Sequence, residues 1–344
     1  MTPDSQTSAT PAQKASRLLE LHHASQPLIL INAWDAASAA MVEHCGLPAI
    51  ATSSAAMANA LGFPDGQFLP WTQMLAAVAS VCRAVKVPVT ADIESGFAPD
   101  VTALETSIAQ IIQAGAVGVN LEDVMSANPA HQNAKRQNAD HENADPKNSE
   151  AANAEPVRHG NPLFPLPEQI ARIQAARRAA QSAGIHLVIN ARTDAYWQAG
   201  VSPAEAMRGT LERGKAYLHA GADCIFIPGL RNPEHIKTVI DHLRGAYQGT
   251  DQAVDHPGAA SQRSSSSHFE HRDPAINILA GPGVPSIPEL AKLGVKRVSY
   301  GSGPHRAAMG LLRRIADEAR ASGTYNALIE GAVPYAEMNG LFGK

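Results

Sequence analysis

A parallel α/β barrel is the fold class this sequence predicts, and three observations predict it. Short β-rich runs alternate with longer helical stretches along almost the whole chain. Several of those runs are nearly continuous in apolar residues, as strands of a parallel sheet buried on both faces must be. The chain has 344 residues, enough for a barrel of roughly 250 residues with additions. Together they point to a (β/α)8 TIM barrel. An open doubly wound sheet is the rival, but no GxGxxG turn follows the first strand to support it.

Taken in order, residues 1–13 are rich in Thr, Ser, Pro and Ala and read as a disordered leader. Residues 14–344 then form a single barrel domain, opened by a helix near 14–23. Strands are predicted at 28–33, 48–53, 87–93, 117–122, 186–192, 223–228, 276–281 and 296–301. Helices are predicted at 35–45, 71–85, 101–114, 167–183, 203–220, 232–243, 286–293 and 304–321, most of them amphipathic. Two stretches break this rhythm. Residues 126–160 and 247–273 are polar, biased in composition and short of bulky apolar side chains. Neither buries enough apolar area to offset the entropy of ordering, so both read as mobile insertions.

Composition removes several function classes. A formal net charge of −4 with no local Lys/Arg cluster gives nucleic acid no electrostatic footing. No apolar run reaches membrane-spanning length, and the first residues lack the pattern of a signal peptide. Cys45, Cys82 and Cys224 are scattered and form no CxxC pair, which suits a reducing compartment, so a cytoplasmic protein is expected. Cys45 falls in the first barrel helix and is expected in the core. Histidines 131, 141 and 159 match no metal-ligand spacing.

In a barrel the chemistry gathers where strands end. The run Thr90-Ala91-Asp92-Ile93-Glu94-Ser95-Gly96 places two acids two residues apart at such an end. A period of two puts Asp92 and Glu94 on one face, and hard cations such as Mg²⁺ take carboxylate oxygens. The next strand ends in Asn120-Leu121-Glu122-Asp123, the one after in Asn190-Ala191-Arg192-Thr193-Asp194. Acids beside one arginine suit a cation and an anionic substrate, because a guanidinium grips a carboxylate with two hydrogen bonds. Arg192 has a second use open to it, a buried ion pair with Asp194 or Glu122. Ser53 and Ser54 are turn residues or ligand contacts, and Trp34 is a packed aromatic or a substrate wall. With no histidine placed for a triad, acyl-serine chemistry is excluded. The glycines at Gly301-Ser302-Gly303 either bind phosphate through backbone N–H groups or simply permit a turn.

These residues carry a family resemblance. Ala51-Thr52-Ser53-Ser54-Ala55 with Leu61-Gly62-Phe63-Pro64-Asp65-Gly66, then Ala91 to Phe97, Asn120 to Asp123 and Val188 to Asp194, resemble the isocitrate lyase/phosphoenolpyruvate mutase superfamily. The tail Val333-Pro334-Tyr335-Ala336-Glu337-Met338-Asn339 is similar to its small phosphoenolpyruvate-mutase-like members. The resemblance spans the chain from about residue 15, apart from the two polar insertions. It implies a modified TIM barrel, Mg²⁺ (with Mn²⁺ as a substitute), small anionic 2-oxo or 2-hydroxy acids, and a dimer or tetramer of identical chains. It implies Asp92 as the principal metal acid, with Glu94 and Glu122 reaching the metal largely through water. Asp65 is implied as a metal-shell or water-ordering acid, and Asp65, Glu122 and Arg192 as the catalytic set. Trp34, Ser53, Ser54, Asn190 and Arg192 complete the expected substrate contacts. Many members have Ser-Gly where this chain has Ser53-Ser54. The gating loops of the true isocitrate lyases, with their Cys-Gly-His run, and of the mutases, with Lys and Asn, have no counterpart after Asp123. That departure argues against isocitrate lyase itself and leaves the general acid/base unassigned. The expected activity is a Mg²⁺-dependent C–C lyase, methylisocitrate-lyase-like or oxaloacetate-decarboxylase-like. The alternatives are a phosphonopyruvate-type mutase or hydrolase, or a catalytically degenerate barrel.

Overall fold

The alternation of strands and helices closes into a ring of parallel strands. A computed structural model describes residues 9–126, 128, 161–248 and 274–342, of which 245–248 only as backbone. The strands are β1 (Leu28–Leu30), β2 (Asn32–Ala33), β3 (Ile50–Thr52), β4 (Val89–Asp92), β5 (Gly118–Glu122), β6 (Val188–Arg192), β7 (Cys224–Phe226), β8 (Ala275–Leu279) and β9 (Arg297–Ser299). Every pairing is parallel, in the order β1-β9-β8-β7-β6-β5-β4-β3-β2. Only Ile31 separates β1 from β2, and the two pieces face opposite neighbours: Leu28 pairs with Arg297, Asn32 with Ala51. The first predicted strand is therefore split to close the barrel.

Asn32 seals that seam. Its carbonyl oxygen accepts from the backbone N–H groups of Tyr300 and Gly301 at 2.8 and 2.9 Å. Its amide donates to the Thr52 carbonyl at 2.7 Å. One side chain thus continues the hydrogen bonding that the backbone drops.

The first helix, α1 (Pro11–His22), starts earlier than its predicted position, so the expected leader ends before Pro11; residues 1–8 lie outside the described residues. Thr10 and Gln13 form a reciprocal capping box, and Pro11 sits at the first helical position, where its missing N–H costs nothing. Ala15, Leu18 and Leu19 pack onto Leu28, Ala49, Val117 and Val188 at the strand starts, so α1 plugs the floor of the barrel. Gly118 makes room for this plug: a Cβ there would lie 2.8 Å from a Leu18 methyl.

The remaining helices are α2 (Ala36–His44), α3 (Ser54–Ala60), α4 (Trp71–Ala84), α5 (Val101–Gln113), α6 (Leu166–Ser182), α7 (Pro203–His219), α8 (Pro233–Gln248), α9 (Ile287–Leu293), α10 (Gly303–Ser322), α11 (Asn326–Gly331) and α12 (Tyr335–Gly340). Helix α3 is absent from the sequence reading, which left Ser53 as a turn residue or a ligand contact; its hydroxyl accepts from the Ala56 N–H and starts a helix. Cys45 corrects another expectation. It caps the C-terminus of α2 and is exposed, because the helix ends before its side chain reaches the core. Helices α10 to α12 keep only His305 buried, with Leu312 and Ile329 56% and 73% exposed.

The predicted mobile insertions 126–160 and 247–273 lie almost entirely outside the described residues. The ends of the first are clipped together: Val124 bridges Leu163, and the Met125 and Phe164 N–H groups donate to Pro162 and Asp123 carbonyls.

Candidate active site

At the C-terminal mouth of the barrel, β4 leaves the sheet through a tight, strained turn. Glu94 and Phe97 have φ of +50° and +52°, and facing them Gln67 has φ of +66°. Side chains rarely adopt these values, and such residues cluster where a site is held in a fixed shape. Gly96 at φ +93° is required, because a Cβ there would lie 2.3 Å from a Leu104 methyl. The turn is fastened from two sides. The Gln67 amide donates to Ser95 Oγ at 2.5 Å, and fully buried Arg172 on α6 donates to the carbonyls of Ser95 and Ala98.

Asp92 stands at the centre. Its Oδ2 accepts from both the N–H (3.0 Å) and the hydroxyl (2.8 Å) of Ser54, while among the described residues Oδ1 has only a long contact of 3.5 Å with the Glu94 N–H. Thus Ser54, where the resemblance leads one to expect glycine, is tied to Asp92 by two hydrogen bonds. Glu94 is buried, and burial, then Asp65 and Asp92, hold its carboxyl well above the usual carboxylate range. Burial does the same to Glu122, opposed by Arg192 and reinforced by Asp92.

Arg192 makes both of the ion pairs open to it. Its Nε and Nη2 grip the two oxygens of Asp194 at 2.6 and 2.8 Å, and its Nη1 donates to Glu122 at 2.5 Å. Phe226 lies under the guanidinium, 5.7 Å from Cζ to ring centre. A guanidinium has five N–H donors, so two remain without a hydrogen-bond partner among the described residues. Asp194 is held in turn by fully buried Asp123, which accepts its N–H at 2.9 Å and also the Tyr217 hydroxyl at 2.7 Å.

Two adjoining cavities share Asp65 and Arg192. One of about 60 Å³ is lined by Asp65, Gln67, Glu94, Glu122, Ser126 and Arg192, among others. The other, of about 140 Å³, has a polar side with Ser53, Ser54, Asp92 and Asn120 and an apolar side with Trp197, Phe226, Pro228 and Leu279. A larger hollow of about 520 Å³ lies outside the barrel between α2 and α12, where a half-exposed His44–Glu337 pair at 3.8 Å is its main polar contact. It lacks convergent buried groups, so the strand ends hold the site.

The structure therefore gathers Asp65, Asp92, Glu94, Glu122, Arg192, Ser53 and Ser54 around one mouth. It leaves two expected contacts out of the cavity walls. Trp34 packs edge-on against His305 at 5.2 Å. Asn190 is wholly buried on β6, two residues before Arg192, donating to Asn120 at 2.7 Å. Asn32, Asn120, Arg172, Trp197 and Arg297 were not singled out from sequence. Asn32 and Asn120 both fall at predicted strand ends, and that position was the signal they offered.

Among the described residues no three Asp, Glu, His or Cys side chains cage an ion by themselves. The expected trio of Asp92, Glu94 and Glu122 is thus no closed cage, since Glu122 is committed to Arg192. The set still fits Mg²⁺, which is held through one or two carboxylates and completes its octahedron with water and substrate. Asp92 Oδ1 is the oxygen best placed for that role.

Comparison with known proteins agrees with this geometry. The family model of phosphoenolpyruvate phosphomutase matches residues 18–320. The 2,3-dimethylmalate lyase of Eubacterium barkeri is 28% identical over 67% of this chain and 68% of its own. The 2-methylisocitrate lyase of Bacillus subtilis is 28% identical over 67% of this chain and 64% of its own. A solved Burkholderia cenocepacia structure, provisionally described as a phosphonomutase, is 31% identical with a TM-score of 0.68, covering 90% of this chain and 100% of that one. With the barrel, the acid-lined mouth and these matches in agreement, the chain belongs to the phosphoenolpyruvate phosphomutase family of the isocitrate lyase/phosphoenolpyruvate mutase superfamily, a family of lyases and mutases.

Proposed function

We propose that this chain is a Mg²⁺-dependent lyase that cleaves a C–C bond next to the carboxylate of a small 2-oxo or 2-hydroxy acid. The observation that carries the reading is the 140 Å³ cavity, where Ser53, Ser54 and Asp92 from β3 and β4 face Trp197, Phe226 and Leu279, with Arg192 beside Phe226. That volume is well below the roughly 300–1,000 Å³ of pockets for drug-sized ligands, so it suits an acid of a few carbons. The apolar wall favours carbon substituents over a phosphonate, whose charge would lose its hydration there. Erosion of the acids would mark a degenerate barrel, and Asp65, Asp92, Glu94 and Glu122 all stand at the mouth.

Asp92 would hold the cation, with Glu94, Glu122 and Asp65 ordering its water. When bound, Mg²⁺ supplies a Lewis acid for the 2-oxo or 2-hydroxy oxygen and its neighbouring carboxylate. Arg192 offers its two remaining N–H groups to the far end of the anion, and Asp194 keeps its plane fixed. Ser53 Oγ accepts the Ala56 N–H and keeps its own proton for a ligand oxygen. Ser54 fixes Asp92 so that Oδ1 faces the mouth. Burial raises the Glu94 and Glu122 carboxyls well above the usual carboxylate range, which favours their protonated forms when no cation is present.

The test is turnover of oxaloacetate, 2-methylisocitrate, 2,3-dimethylmalate and phosphonopyruvate with Mg²⁺, followed by pyruvate or glyoxylate release. One of the three carbon acids should be cleaved, and the activity should vanish with EDTA and in Asp92→Ala. Turnover of phosphonopyruvate alone would transfer the chain to the mutases or hydrolases, and inertness toward all four would refute the lyase reading.

A further inference from the structure

A chain of groups inside the barrel fixes which way the Asn120 amide faces. Arg297 on β9 is fully buried with no carboxylate among its hydrogen-bond partners, and burial lowers its pKa to about 10. Its Nη2 donates to the Asn120 side chain at 3.0 Å, and its Nη1 contacts His22 Nε2 at 3.2 Å. Arginine has donors only, so both partners must accept. The Asn120 atom facing Arg297 is therefore the oxygen, an assignment that amide geometry alone leaves ambiguous. His22 Nε2 must carry its lone pair, which puts the ring proton on Nδ1, donated to the Leu18 carbonyl at 2.7 Å. Asn190 supplies a second donor to the same Asn120 oxygen at 2.7 Å. With its oxygen occupied twice, Asn120 has its NH₂ left over. That group has no partner among the described residues, and Asn120, 5% exposed, lines the larger cavity.

The geometry points to Asn120 as a ligand-binding donor: its amide N–H, aimed into the cavity by Arg297 and Asn190, takes a carboxylate or 2-oxo oxygen of the substrate. The ligand atom over Asn120 is thus an acceptor and never the metal, which sets the acid's orientation across the cavity. This rests on the reading of the site as one for small 2-oxo or 2-hydroxy acids. Arg297 acts through Asn120 and is a positioning residue.

The probe is oxalate, a planar dianion with the adjacent oxygens of an enolised 2-oxo acid, titrated calorimetrically into protein with Mg²⁺. Asn120→Ala should weaken oxalate by about tenfold or more, the loss of a charge-assisted hydrogen bond, with Mg²⁺ affinity without oxalate unchanged. Asn120→Asp keeps the acceptor for Arg297, so it should fold and yet bind oxalate more weakly still. Arg297→Lys, which retains a donor, should keep more oxalate affinity than Arg297→Met. Oxalate binding unchanged in Asn120→Ala, or in Asn120→Asp where the alanine variant does not fold, overturns the inference while leaving the lyase reading intact. A wild-type protein that binds neither oxalate nor pyruvate overturns both.

Discussion

His22 sits beneath the site with its ring fully buried, and burial, helped by the Arg297 charge, lowers its pKa from 6.5 to about 3. The folded protein therefore binds this proton later than the unfolded chain does. The contribution is fully present above pH 6.5 and is lost as the pH falls from 6.5 toward 3, at about 1.4 kcal/mol per pH unit. The raised Glu94 and Glu122 carboxyls act with the opposite sign: folding favours their protonated forms, so they cost stability as pH rises above the usual carboxylate range. Comparing wild type with His22→Gln separates the two. Between pH 6.5 and 5 the wild type should lose about 2 kcal/mol more than the variant in urea unfolding. Parallel pH profiles would place the imidazole in water and break the orientation chain.

The turn after β4 is the element on which the site depends. Its composition, Ser95-Gly96-Phe97, shows that the chain bends there, but not that three residues adopt positive φ or that Arg172 on α6 pins the bend. Gly96→Ala must push a methyl against Leu104 at a φ of +93°. We expect a loss of roughly 1–3 kcal/mol in chemical denaturation. Calorimetry should show weaker Mg²⁺ binding as well, because Glu94 moves with the turn. Stability within experimental error of wild type would mean that the turn is free to relax and that Glu94 is not held rigidly.

For the molecule as a whole, the C-terminal helices pose the question of assembly. Leu312, Leu328 and Ile329 are exposed on α10 and α11, and Tyr325 lies between them at 68% exposure. Scattered apolar residues are ordinary on a surface, but several on neighbouring helices that bury almost nothing else suit a subunit contact. Light scattering should therefore find a dimer or tetramer, and Leu328→Glu with Ile329→Glu should shift it toward monomer at micromolar concentration. A wild-type monomer under the same conditions would remove these helices from any role in assembly.

Much of this was legible in local pattern. The strand positions follow from apolar runs, because a strand buried on both faces has to be apolar whatever its partners are. The acids at Asp92, Glu94 and Glu122 and the arginine at 192 were legible from alternation and from strand-end placement. Tertiary structure alone decided how these groups are used. Asn190 shares a face with Arg192, yet it lies below the rim, because depth in a barrel depends on the register of neighbouring strands. Ser54 read as a turn residue or a substrate contact, and its tie to Asp92 appeared only when β3 and β4 came together and its N–H and hydroxyl met that carboxylate. Arg297 carries no signal in its own neighbourhood, Lys296-Arg297-Val298. Its partners His22 and Asn120 lie 275 and 177 residues away in the chain, and only barrel closure brings a guanidinium, an imidazole and an amide into one buried line.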